Sequence, residues 1–204
     1  MRVLISLLVC LGMWASAACA AETVDGVRQR LVDAPVLRGQ FEQVRQLQGF
    51  RNPLRSRGVF LLARDHGMLW DTREPFASRM VLTRARLLTR LPDGSTRVLL
   101  DGTRTPALSA LNALLLALLA GDLEALTQQF EAEQTLNADG SWTLRLQPRE
   151  VDMRKAIARV ELAGDRYVRQ ITISEPGGDS THIRFLELSE VPATLSSDEV
   201  AQFE

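Results

Sequence analysis

The stretch 137-NADGSWTLRLQP-148 decides what class of structure this chain can adopt. Residues 137–140 carry turn chemistry: Asn and Asp side chains close local backbone bonds, and Gly takes the positive φ that a tight turn demands. Beyond the turn, Trp142, Leu144 and Leu146 alternate with Thr143, Arg145 and Gln147. Neighbouring side chains on a strand point to opposite faces, so this strand has one apolar face and one wet face. That is the pattern of an antiparallel sheet packed on one side.

The same pattern extends outward in both directions. Toward the C-terminus, strands are expected at 157–162, 167–174 and 181–188, separated by Ala163-Gly164-Asp165 and by Pro176-Gly177-Gly178. In the last of them Thr181, Ile183 and Phe185 face one way and His182 and Arg184 the other. The alternation then inverts, with Glu187 on the first face and Leu186 and Leu188 on the second; a bulge near Phe185, or burial of both faces, accounts for it. Residues 148–155 read as a polar loop. Toward the N-terminus, Leu37 and Phe41 share a face around Gly39, 59–62 is a short apolar run, and Met68 and Trp70 oppose Leu69. Met80 and Leu82 continue the series, and Pro92-Asp93-Gly94 turns a strand at 87–91 into one at 98–100. Val24, Val27, Leu31 and Val32 recur at helical spacing behind Thr23, predicting a helix over 23–33 that Pro35 ends.

Between the two blocks of strands lies 105-TPALSALNALLLALLAG-121. Thr105 suits the cap, Pro106 the first helical position and Gly121 the left-handed stop. Its leucines spread over roughly 200° of the helical wheel, against a stripe of about 100° on an ordinary surface helix. Asn112 falls inside that arc. The run is shorter than the roughly 20 apolar residues a membrane span needs, so it is either a core helix between two layers or the border of a cavity for an apolar guest. A second short helix is expected from Asp122, carrying Leu123 and Leu126. Many hairpin-linked strands with a few helices between them predict a mainly β (α+β) domain: a curved antiparallel sheet covered on one face by helices.

Met1 to Ala20 has an early cation, Arg2, an apolar core from Val3 to Trp14, and the small-residue ending Ala18-Cys19-Ala20, which together read as a secretory signal peptide cleaved near Ala20. Acylation at Cys19 is the competing reading, disfavoured by Ser16 where such signals carry Leu. The chain is then a signal peptide over 1–20 and a single domain over 21–204. Cys10 and Cys19 are the two cysteines, so the exported part has none to form a disulfide. Lys and Arg number 24 against 25 Asp and Glu, a balance that gives no reason to expect nucleic acid as a partner.

Catalytic patterns are lacking. His66 and His182 are the two histidines, and no H-x-H, H-E-x-x-H or G-x-S-x-G occurs. His66 reads as part of a turn and His182 as a solvated strand residue. Asp71 and Glu74 could be drawn as an acid pair, but nothing orients a nucleophile beside them. No catalytic residue, metal ligand or cofactor is expected.

Several short motifs, in this order, resemble the periplasmic outer-membrane lipoprotein carriers, the LolA-like family. They are Gly39-Gln40-Phe41-Glu42-Gln43, Gly58-Val59-Phe60-Leu61-Leu62, Arg64 with Trp70 and Pro75, Thr105-Pro106, WTLRLQP at 142–148, and DSTHIRF at 179–185. The family proline after the arginine is Asp65 here. The resemblance implies an unclosed, strongly curved antiparallel half-barrel whose concave apolar face is lidded by helices, with acyl chains beneath the lid. It implies a cavity lined by Phe41, Phe60, Met68, Trp70, Leu111, Leu115, Leu118, Trp142, Ile183 and Phe185, and a role for Arg64 in holding the lid closed. Plain core packing is the alternative for each lining residue, and a surface arginine for Arg64. The implied protein is a monomeric periplasmic carrier of acylated lipoproteins or other lipids, loaded at an inner-membrane export complex and relieved at an outer-membrane acceptor. The alternatives are a non-transporting sensor on the same scaffold and a carrier of a specialised lipid or pigment precursor.

Overall fold

A computed structural model describes residues 24–83, 86–90, 96–101 and 123–203. In chain order the elements are α1 (Asp25–Arg30), β1 (Val36–Gln46), β2 (Leu54–Ala63), β3 (Gly67–Glu74), β4 (Ser78–Leu82), β5 (Arg86–Arg90) and β6 (Thr96–Asp101). They continue with α2 (Glu124–Gln129), β7 (Phe130–Leu136), β8 (Trp142–Pro148), α3 (Val151–Arg154), β9 (Arg159–Gly164), β10 (Val168–Ser174), β11 (Ser180–Ser189) and α4 (Ser197–Ala201). All the strands join one antiparallel sheet in the order β6-β5-β4-β3-β2-β1-β11-β10-β9-β8-β7. The first and last strands meet in the middle, and β6 and β7 are the two edges of the sheet among the described residues. The sheet is therefore two meanders zipped together along β1 and β11, an unclosed half-barrel.

One large cluster fills the inner side, drawing Phe41, Phe60, Met68 and Trp70 from one meander and Trp142, Leu144, Leu146, Leu162 and Ile171 from the other. Val27 of α1, Leu126 of α2 and Met153 of α3 complete it. On β8 the burial pattern follows the alternation read from the sequence, with Trp142, Leu144 and Leu146 inside. The outer side is not bare. Val36, Leu61, Ala63, Leu69, Val81 and Leu88 form a second cluster, covered by Leu195 and Phe203 of the C-terminal segment. The run at 59–62 thus lacks polar alternation because both its faces are packed from Phe60 onward: Phe60 and Leu62 inward, Leu61 and Ala63 outward.

Several expectations need correction. The first helix is shorter than 23–33: it ends at Arg30, Leu31 is extended at ψ 136°, and the Val32 N–H donates to the Arg166 carbonyl at 2.8 Å instead of continuing the helix. Residues 148–155 are not simply a loop; Pro148 closes β8, and α3 forms because Met153 is an apolar anchor buried in the inner cluster. Helices cover the inner side, but the C-terminal segment covers part of the outer side as well. The inverted alternation in β11 is a bulge. Gln40 pairs with Leu186 while Arg38 pairs with Ser189, and Glu187 sits at φ 52°, so Phe185 and Leu188 both reach the inner cluster. The signal segment, the Pro92 turn and the apolar helix at 105–121, with Leu111, Leu115 and Leu118, lie outside the described residues.

Candidate binding face

Two Gly-x-Phe triplets build the floor of the inner face. Gly39-Gln40-Phe41 on β1 runs antiparallel to Gly58-Val59-Phe60 on β2 in a register that sets Gly39 opposite Phe60 and Phe41 opposite Gly58. Each ring lies across the bare backbone of the glycine facing it. A Cβ at Gly39 would come within 2.8 Å of the Phe60 ring, and one at Gly58 within 2.9 Å of the Phe41 ring. Gly58 is further confined by the Asp71 carbonyl oxygen, 2.0 Å from where its Cβ would stand.

Trp70, paired with Phe60 across β2 and β3, stacks on Phe41 with ring centres 3.7 Å apart and planes 26° from parallel. Phe185 on β11 meets Phe60 edge-on at 5.1 Å and Trp70 edge-on at 6.1 Å. Four aromatic side chains from β1, β2, β3 and β11 thus form one continuous surface at the middle of the sheet. Such pairs add roughly 0.5–1.5 kcal/mol each beyond their buried area, so the patch is stiff as well as apolar. Met68 and Ile183 belong to the same cluster. Trp142 on β8 belongs to the same cluster, and its indole N–H donates to the Asp165 carbonyl at 2.5 Å.

Among the described residues no polar or charged residue is buried, and no three His, Cys, Asp or Glu side chains converge as metal ligands. The described side chains of this face exclude water and present π surface. His66 sits in the β2–β3 turn with its ring 5.5 Å from Phe203, and the His182 Nδ1 lies 2.9 Å from the Thr172 hydroxyl on the neighbouring strand. Asp71 is paired with Arg79 at 3.0 Å, and Glu74 with Arg57 at 2.6 Å, so the two carboxylates serve separate ion pairs.

Arg64 follows β2. Its guanidinium donates to the Asp33 carboxylate and, at 3.3 Å, to the Ala34 carbonyl, and its buried Nε has no acceptor among the described residues. On the outer side lies a charged clasp that no local sequence pattern announces as a contact. Arg38 holds Glu199 with two bonds of 2.9 and 2.8 Å and donates to the Pro192 carbonyl at 2.6 Å and the Thr194 carbonyl at 3.2 Å. Hydrogen bonding from Arg38, aided by the Ser196 N–H, pulls the Glu199 carboxyl down to about 2 against the opposing effect of burial. What the sequence does carry is Ser196-x-x-Glu199, a capping box, which closes reciprocally at the start of α4.

The family model described as outer membrane lipoprotein carrier protein LolA matches residues 33–198. No curated protein matches the chain by sequence. Among solved structures, the chain is similar to a DUF1329 family protein from Desulfovibrio piger, at 14% identity and a TM-score of 0.51, over 88% of this chain and 94% of that one. A LolA superfamily protein from Nitrosomonas europaea aligns at 9% identity and a TM-score of 0.42, over 81% of this chain and 90% of that one.

Proposed function

Because this chain belongs to the family of the outer membrane lipoprotein carrier protein LolA, we propose that the floor made by Phe41, Phe60, Trp70 and Phe185 is an acyl-chain surface. The protein is then a non-enzymatic periplasmic carrier of lipoproteins or other acylated lipids, with residues 1–20 removed on export and 21–204 acting as one domain. The observation that supports this reading is the continuous aromatic floor, free of buried polar groups, at the centre of an unclosed sheet. Met68 and Ile183 extend the surface.

Residues 102–122 join β6, at one edge of the described sheet, to α2 and β7 at the other. In this proposal Leu111, Leu115 and Leu118 of that connection belong to the same binding surface and act as its cover. Burying a fourteen-carbon acyl chain contributes roughly 11 kcal/mol at about 0.8 kcal/mol per CH₂. A carrier holding its cargo that tightly would not release it. Cover and cargo therefore compete for one surface, so that loading displaces the cover and the net affinity falls to a releasable level. Arg64, anchored on Asp33 and Ala34, would hold the closed state through its free Nε. An inner-membrane complex would load the open form, and an outer-membrane acceptor would unload it.

Long-chain acyl ligands should raise the melting temperature of the purified protein and increase hydrogen exchange across residues 105–121 as they displace the cover. Absence of both effects refutes the proposal. Native mass spectrometry of protein recovered from its own periplasm would identify the cargo.

A further inference from the structure

We propose that one end of the sheet is a docking surface for an anionic phospholipid bilayer. β1 runs into the 47–53 turn and β2 returns from it; β3 runs into the 75–77 turn and β4 returns from that one. Adjacent pairing of β2 and β3 puts both turns at the same end of the sheet. The hairpin centres are about 10 Å apart, two strand spacings. Arg57 binds the hairpins together, donating to both carboxylate oxygens of Glu74 at 2.7 and 2.6 Å.

This end carries apolar side chains that the fold does not use: Phe76 is 82% exposed, Phe50 65% and Leu54 59%. Cations stand between them. Residues 43–57 hold four arginines and no carboxylate. Arg45 is engaged by Glu175 and Asp179, and Arg57 by Glu74, whereas Arg51, Arg55 and Arg73 are exposed and have no ion-pair partner among the described residues.

Exposed aromatic and leucyl side chains at one end of the sheet, interleaved in sequence with arginines that lack an ion-pair partner among the described residues, match the bilayer interface. Their rings enter the acyl boundary while the guanidinium groups stay at the level of the phosphates. A protein partner would call for a groove of complementary shape; here Phe50 and Phe76 lie on two separate turns and Leu54 opens β2, a geometry that a fluid surface accepts. The charge complementarity is to anionic lipid. The inference is independent of what the inner face carries.

The test is co-sedimentation of the purified protein with vesicles of phosphatidylethanolamine and phosphatidylglycerol, compared with vesicles of phosphatidylcholine. Binding is expected to the anionic vesicles and to fall as salt is raised. Combining Arg51→Gln, Arg55→Gln and Arg73→Gln should weaken it about a hundredfold, at about fivefold per cation. Phe50→Ser with Phe76→Ser should weaken it while leaving the far-ultraviolet circular dichroism unchanged. Equal binding to both vesicle types, equal binding by the variants, or no binding by the wild-type protein overturns the proposal. If the wild type ignores vesicles and the arginine variant instead loses a protein partner, the surface is a protein interface. Acyl-ligand protection measured on the same variants separates the two readings: it should survive the loss of vesicle binding, and its failure with vesicle binding intact would refute the carrier reading alone.

Discussion

Glu199→Gln preserves the shape of a side chain while deleting the charge that Arg38 grips on the outer face of the sheet. The clasp joins β1 to the segment that lays Leu195 and Phe203 over the outer cluster. A carboxyl held at about 2 rather than 4.5 carries an upper bound of about 3 kcal/mol, at about 1.4 kcal/mol per pH unit. Arg38 and Glu199 keep 20% and 24% of their side-chain surface in solvent, and screening brings the expected loss to about 1–2 kcal/mol. The folded pKa lies below the unfolded one. The contribution is therefore complete above about pH 4.5 and is lost as the pH falls toward 2. Urea unfolding of wild type and variant at neutral pH should show the full gap through a lower midpoint with an unchanged slope, and the two proteins should converge near pH 2. A gap that persists undiminished in acid, or is absent at neutral pH, refutes the assignment of this stability to the Arg38–Glu199 charge pair.

Phe41→Ala, at a fully buried ring stacked on Trp70, should cost about 3–5 kcal/mol in chemical denaturation. Gly58→Ala forces a Cβ against the Asp71 carbonyl and should cost about 1–3 kcal/mol. Gly177→Ala meets open space and should be neutral or stabilise by up to about 1 kcal/mol in the same assay. In the Trp142→Phe background, Trp70 emission should shift on addition of a long-chain acyl ligand; an unchanged spectrum despite thermal protection would place the ligand away from the aromatic floor.

Strands with one wet face were legible, since Trp142, Leu144 and Leu146 declare their period directly. β2 was harder to read because outward packing of Leu61 and Ala63 erases the polar half of the alternation. α1 and α3 depart from the sequence pattern for opposite reasons. A backbone bond from Val32 to Arg166 outweighed the helical spacing of Leu31 and Val32, and the single apolar anchor Met153 made a helix of a segment that is polar in composition. The residues of the aromatic floor could be named from the sequence; their mutual contacts could not, because stacking of Phe41 on Trp70 depends on the β1–β2–β3 register. The paired Gly-x-Phe triplets carried that register in principle, since only antiparallel alignment of the two gives each ring a bare backbone to lie across. The Arg38 clasp stayed hidden because its partners are supplied by a distant turn and helix.

The seam between β1 and β11 also governs how the fold is reached. Gln40 and Glu187, which meet across it, are 147 residues apart in the chain, whereas every other strand pair in the sheet is a local hairpin. Each meander can form early from short-range contacts, but joining them must wait for the largest loop closure in the molecule, and non-local pairings of this kind slow folding. Until then β1 presents an unpaired edge, and a chain synthesised from its N-terminus exposes that edge until the last strand has emerged. Aggregation competes with folding at that step. Truncation or destabilisation within β11 should therefore reduce the yield of soluble protein by more than an equal loss of stability in β6 or β7, each of which pairs only with its neighbour in sequence among the described strands.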